Sequence, residues 1–423
     1  MANLMESLYS KFLESTGAST DTRSIQSGNM FFALTGPNFN GNKYAAQAIE
    51  NGAKYAVIDD PSFADHPHTL LVENTLRALQ DLGNHHRKHF KGKVFALTGS
   101  NGKTTTKELL VRVLAKKYST IGTKGNFNNH IGVPLTLLSI PVETEIAVIE
   151  MGANKVGDIA ELCGIADPEY GLITNIGEAH TEGFGGIEGV IRGKSELFDH
   201  LRKAGGTPFI NQQDRVLNNM IKRFENPEHY PADDVKLTSA NPYIKFSMGG
   251  KEVITQLIGA YNFQNIAAAI AVGRHFGVED SAIAAAISGY VPENQRSQVI
   301  GRGKLKIILD AYNANPTSMQ AALESFNRLS GPKHVILGDM KELENSDQRH
   351  RRFGADLNGF DFDTIYLVGP EMKHASGEVT ESQWFENVDA VQKHLVSNPI
   401  PDGNLLIKGS RSMHMEKVLE VIQ

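Results

Sequence analysis

Apolar and polar positions follow two regimes along the chain. Near the amino end Leu4, Met5, Leu8 and Phe12 recur at helical spacing, which predicts an amphipathic helix. Short apolar runs follow at Met30-Phe31-Phe32-Ala33-Leu34 and Tyr55-Ala56-Val57-Ile58, the second closed by Asp59-Asp60-Pro61, a turn signal after a strand. Together they predict a small α/β unit. His85, His86 and His89 then share a helical stretch with Arg87 and Lys88, and the interleaved charge predicts a solvated face ahead of a linker rather than a metal site.

From about Lys91 buried apolar runs alternate with helical periods, which argues for parallel β/α architecture. Val94 to Thr98 reads as a strand and Lys103 to Lys117 as a helix whose inner face carries Leu109, Leu110, Val113 and Leu114. Ile146 to Ile149 and Tyr170 to Thr174 are two further strands. Beyond Pro292 a third run begins, with strands at Leu305 to Leu309, His334 to Leu337, Thr364 to Val368 and Leu405 to Ile407. The last feeds Gly409-Ser410-Arg411 and a closing helix with Val418 and Leu419. This part reads as Rossmann-like but lacks G-x-G-x-x-G. The expected division is 1–88, 89–293 and 294–423.

Composition narrows the function. At 423 residues, 40% hydrophobic and 21% charged, the chain is a folded multidomain protein. Lys+Arg 42 against Asp+Glu 48 leaves a formal charge of -6, no electrostatic footprint for nucleic acid or for an anionic membrane. Cys163 is the only cysteine, so neither an internal disulfide nor a cysteine metal cage is available. With no secretory signal at Met1 to Leu8 and no apolar run near the ~18 residues of a membrane span, a cytoplasmic protein without membrane insertion is expected.

The sharpest chemical signal is Thr98-Gly99-Ser100-Asn101-Gly102-Lys103-Thr104-Thr105-Thr106, between a strand and a helix. Glycines let backbone N–H groups converge on phosphate oxygens, and the helix start adds a favourable partial charge. Lys103 is placed to meet the β- and γ-phosphates, and Thr104 to reach Mg²⁺. Further hard ligands are expected at neighbouring strand ends; Glu150 closes one strand and His180 follows another.

These residues resemble the Mur ligase family, the ATP-dependent amide-forming enzymes of peptidoglycan precursor synthesis. Its short G-x-x-G-K-T-T loop is matched by Gly99 to Thr105, its asparagine-rich stretch before I-G-x-P by Gly125 to Pro134, and its E-M-G-A segment by Glu150 to Ala153. The G-x-x-N-x-x-N-x-x-A-A segment is matched by Gly259, Asn262, Asn265, Ala268 and Ala269. Asp310-Ala311-Tyr312-Asn313-Ala314-Asn315-Pro316 and Lys408-Gly409-Ser410-Arg411 resemble the branch that adds D-alanyl-D-alanine to UDP-N-acetylmuramoyl-tripeptide. The D-x-P-R of the diamino acid branch is not found in the third domain.

The resemblance implies a small N-terminal α/β substrate domain, a central P-loop-type parallel-sheet ATPase domain and a C-terminal Rossmann-like domain for the dipeptide. It implies nucleotide contacts from Gly99, Ser100, Asn101, Gly102, Lys103, Thr104, Thr105, Asn262, Asn265, Arg296 and Asp310. Two Mg²⁺ ions are implied, held by Thr104, Glu150, His180 and Lys194, the last falling where relatives carry a carbamylated lysine. Lys103, Lys194 and His180 are the implied catalytic set. Substrate contacts are implied for Asn128, Asn129, Tyr312, Asn313, Asn315, Ser410 and Arg411, and for Thr22, Arg23, Asn40 and Gly41 in a uridine nucleotide pocket. There Asp21-Thr22-Arg23 replaces the usual D-S-R, and Asn40-Gly41 stands where D-G is common. A monomer whose third domain swings onto the phosphate loop is expected. Two alternatives remain at this stage. Another amide ligase of this architecture, diamino acid adding or folylpolyglutamate synthetase, would differ in acceptor amine, whereas a P-loop regulatory NTPase would release phosphate without any amine.

Overall fold

The computed structural model describes residues 2–422, which form three α/β units around separate parallel sheets. In the first, Ala18–Ser19, Met30–Phe32, Tyr55–Ile58 and Thr69–Leu71 pair in that order, all parallel. The central sheet runs Glu228–Tyr230, Thr207–Asn211, Tyr170–Ile173, Lys93–Thr98, Ile146–Glu150, Thr120–Gly122, again all parallel. Its strands are apolar on both faces because helices cover both. Phe95 and Leu97 pack with Leu110 and Val113 of the helix Lys103–Leu114, while Val94 and Ala96 pack on the opposite side with Leu197 and Phe198. Full burial of a side chain such as Phe95 or Leu97 stabilises by roughly 1.5–3 kcal/mol.

The third sheet runs Gln298–Arg302, Leu305–Asp310, Gly403–Lys408, Lys333–Gly338, Thr364–Val368, Gln383–Phe385, parallel except for the first strand. A three-stranded antiparallel sheet, Lys236–Ala240, Tyr243–Met248 and Lys251–Ile258, is appended to the central unit. Residues Met415–Glu420 wind as a 3₁₀ helix rather than the closing α-helix the sequence suggests, and the helix starting at Lys103 stops at Leu114.

The reading of His85 to His89 as a solvated face is corrected. Lys88 and His89 are exposed, but His86 and Arg87 are only 4% and 8% exposed. The helix Thr75–His89 lies between the first unit and the centre, and its polar side chains satisfy backbone carbonyls there. Asn84 Nδ2 donates to the carbonyls of Gly164 and Ile165, both at 3.0 Å, and Arg87 donates to those of Ala166 at 3.0 Å and Asp167 at 3.2 Å. These are the carbonyls that the helix Asp158–Ala166 leaves unpaired at its carboxyl end, where a cation is also favoured by the helix dipole. Gln80 Nε2 adds a bond of 2.8 Å to Glu161 Oε1. The charge of Arg87 therefore serves a neighbouring backbone, while Lys88 and His89 do meet water.

Candidate active site

The strand Lys93–Thr98 sits between Tyr170–Ile173 and Ile146–Glu150, so its carboxyl end opens at the crevice where an open α/β sheet takes ligands. Gly99 to Gly102 turn there into the helix Lys103–Leu114. Two glycines are required. Gly99 has φ +146 and a Cβ on it would lie 1.9 Å from Thr174 Oγ1; Gly102 has φ +78 and a Cβ would lie 2.6 Å from Asn265 Oδ1. The loop is clamped from Thr174 to Gly177. Ser100 Oγ both donates to and accepts from the Gly177 backbone at 2.9 Å, and Thr174 Oγ1 donates to the Asn101 carbonyl at 2.6 Å.

Lys103 Nζ folds back to donate to the Gly99 carbonyl at 2.7 Å. Burial, assisted by Arg296 and opposed by Glu150, pulls its pKa down to about 8. Glu150 is 2% exposed; its Oε1 accepts from Asn128 Nδ2 at 2.8 Å and from Thr104 Oγ1 at 3.3 Å, while its buried Oε2 has no partner among the described residues. A buried carboxylate oxygen left unpaired is costly unless a cation takes it; with Thr104 bonded to it and His180 lining the same cavity, the donor types are ones Mg²⁺ accepts.

Lys194 is 1% exposed and sits behind the wall at Ala153, to whose carbonyl Nζ donates at 3.3 Å. No carboxylate forms an ion pair with it among the described residues. Burial first, then the charge of Lys103, holds its pKa well below the ordinary lysine value, so the neutral amine that carbamylation requires is accessible.

The C-terminal unit closes the same crevice. Asp310 ends the strand Leu305–Asp310, and Lys408 Nζ, 2% exposed, reaches its Oδ2 at 2.6 Å, while Asp310 Oδ1 accepts from the Ser297 N–H at 3.1 Å. Tyr312 carries two arginines, the guanidinium of Arg296 3.7 Å and that of Arg411 5.7 Å from its ring centre. Asn315 caps the helix Pro316–Asn327 through Oδ1 and donates Nδ2 to Asn101 of the phosphate loop. His180 Nδ1 comes within 2.5 Å of Glu342 Oε2, a contact too bent to be a straight hydrogen bond.

One cavity of about 1130 Å³ is lined by Ser100 to Thr105, Asn128, Asn129, Glu150, His180, Asn262, Asn265, Arg296, Asp310, Tyr312, Asn313, Ser410 and Arg411. Gly99, Lys194 and Asn315 stand behind its wall. Asn265 and Asn262 are partly committed within the protein: Thr106 Oγ1 donates to Asn265 Oδ1 at 3.1 Å, and Asn265 Nδ2 to Asn262 Oδ1 at 2.8 Å. The structure does not bring Thr22, Arg23, Asn40 and Gly41 to this cavity. Arg23 pairs with Asp21 at 2.7 Å and holds that carboxyl down to about 2; Asn40 accepts from the Asn42 N–H at 2.9 Å; and Gly41 is glycine because a Cβ would lie 2.4 Å from the Leu34 carbonyl. Residues that sequence reasoning passed over include Tyr261, Ser297, Lys341, Glu342 and Lys408. Lys408 alone had a signal, since it opens the K-G-S-R segment.

Family models match most of the chain: Mur ligase family, catalytic domain, over residues 14–86, Mur ligase middle domain over 97–273, and Mur ligase, glutamate ligase domain, over 295–411. The UDP-N-acetylmuramoyl-tripeptide--D-alanyl-D-alanine ligase of Bacillus subtilis is 34% identical over 424 residues, covering 96% of this chain and 92% of its own. A crystal structure of MurF from Acinetobacter baumannii superposes with a TM-score of 0.88 at 32% identity, over 98% of this chain and 97% of that one. MurF ligase from Thermotoga maritima in complex with ADP gives 0.84 at 28% identity, over 97% of both chains. The chain belongs to the Mur ligase family.

Proposed function

We propose that this chain is the ATP-dependent ligase that joins D-alanyl-D-alanine to the carboxyl end of UDP-N-acetylmuramoyl-tripeptide, giving the pentapeptide, ADP and phosphate in the cytoplasm. The observation that carries the reading is the single cavity lined by the phosphate loop, Glu150, Asp310, Tyr312, Asn313, Ser410 and Arg411. The proposed division of labour is substrate nucleotide in 1–88, ATP in 89–293 and dipeptide in 294–423.

A carboxylate and an amine do not condense directly, because oxide would have to leave. Transfer of the γ-phosphoryl group to the tripeptide carboxylate makes an acyl phosphate, and the dipeptide amine then displaces phosphate through a tetrahedral intermediate. The N–H groups of Ser100 and Asn101 are taken by Asn175, so the N–H groups that start the helix Lys103–Leu114, together with the Lys103 ammonium, stabilise charge on the transferred oxygens. Thr104, Glu150 and His180 would hold Mg²⁺, with Lys194, carbamylated, completing a second position. Bound there, the metal supplies positive charge to the phosphoryl group in flight. Acyl phosphates hydrolyse, so seating the C-terminal unit against the phosphate loop serves to keep water away.

The test is phosphate release with UDP-muramyl tripeptide, with and without D-alanyl-D-alanine. Release that needs both substrates supports ligation, release without the amine supports a regulatory NTPase, and release with another acceptor in a panel of amines assigns a sibling ligase.

A further inference from the structure

His180 and Glu342 touch across the boundary between the central and C-terminal units, and both have left-handed backbone, φ 56 and φ 62. Side-chain-bearing residues hold that conformation only where their surroundings impose it, and such residues concentrate at functional sites. The surroundings here are a docked loop. Glu344 N–H donates to Thr181 Oγ1 at 3.3 Å, Asn345 is also left-handed at φ 54, and Arg349 pairs with Glu178 on the flank. These contacts bring the Glu342 carboxylate to His180 Nδ1, while the ring lines the cavity and its Nε2 has no protein partner among the described residues.

The geometry points to Glu342 as a positioning residue: its carboxylate touches Nδ1, too bent for a straight hydrogen bond, and by its charge favours a proton on that nitrogen, so that Nε2 is the bare nitrogen offered to a divalent cation. A histidine ligand is commonly oriented in this way by a carboxylate on its other nitrogen. The inference rests on the proposed ligand role of His180. It adds that the ligand's orientation comes from the C-terminal unit, so the metal position is complete only when that unit is seated.

The test uses the full chain with Mn²⁺ as probe, titrated by electron paramagnetic resonance in the presence of ADP, together with ¹⁵N shifts of the His180 ring. Loss of an orienting partner typically weakens a metal site about 10–100-fold. Glu342→Ala and His180→Ala are both expected to fall by that order, and Glu342→Gln, which keeps an oxygen beside Nδ1 but loses the charge, to recover only part of the loss. Wild-type affinity in Glu342→Ala alongside a weakened His180→Ala overturns the positioning role and leaves the ligand role standing. Wild-type affinity in His180→Ala overturns both. Should Glu342→Ala not fold, the wild-type ring decides: an Nε2–H tautomer of His180 overturns the inference.

Discussion

Asn315 Nδ2 donates to Asn101 Oδ1 over 2.8 Å, joining the first turn of a C-terminal helix to the phosphate loop across 214 residues of chain. The same amide caps its own helix, Oδ1 accepting from the Ser318 N–H at 2.9 Å. Aspartate caps as well as asparagine but has no N–H to give. Asn315→Asp therefore separates the two duties. Melting temperature should change little, while kcat/KM for the dipeptide should drop by about 2- to 10-fold, the worth of one hydrogen bond. An equal loss of melting temperature and activity would show that the pair is only a cap.

The charge of Lys103 is felt at Lys194, yet their expected roles differ. Lys103→Ala should lose at least about 10²-fold in kcat with its circular dichroism unchanged, as removal of a preorganised donor does. Lys194→Ala should also be inactive, but short-chain carboxylic acids should restore part of its turnover by replacing the missing carbamate anion. Absence of any rescue across a series of acids would count against the carbamate.

Burial holds the His86 imidazole below its ordinary value of 6.5, although the bond to the Ile140 carbonyl favours the charged ring. With Nε2 2.8 Å from that carbonyl and Nδ1 3.2 Å from the Tyr9 hydroxyl, the neutral ring donates at one end and accepts at the other. As pH falls below 6.5 the unfolded chain takes up a proton that the folded chain resists. The stabilising contribution is thus complete above that value and is lost as pH drops through the depressed one. The urea midpoint should fall between about pH 7.5 and about pH 5.5, and His86→Gln should show a smaller fall.

Cys163 is 1% exposed, and burial, with Glu196 and Asp167 adding to it, pushes its thiol far above the ordinary range. The thiolate is the reactive form. Ellman's reagent at neutral pH should leave the native chain unlabelled and titrate one thiol after denaturation. Rapid native labelling would mean that the core around Met151 and Cys163 opens readily.

The phosphate loop, the parallel strands and the three-part order were legible because each depends on local chemistry: glycine at left-handed positions, and apolar runs too short for helices. The antiparallel sheet from Lys236 to Ile258 also left a trace, since Tyr243 to Met248 alternate between half-buried and buried, but flanking Gly249-Gly250 and polar neighbours gave it no place in a β/α reading. Glu342 was not legible at all. It follows a buried strand with no motif of its own, and it matters only because folding brings it to His180. Burial of Arg87 was hidden for a related reason, as its partners are backbone carbonyls almost 80 residues away.

The helix Thr75–His89 bears on how members of this family can be recombined. A chimera that takes its amino-terminal third from one parent and its middle from another would ask Asn84 and Arg87 to meet the helix end at Gly164 to Asp167 of a stranger. Residues 75–89 and 158–169 should therefore be exchanged as a pair, and a crossover placed between strand Thr69–Leu71 and Thr75 keeps them together, whereas one placed after His89 divides them.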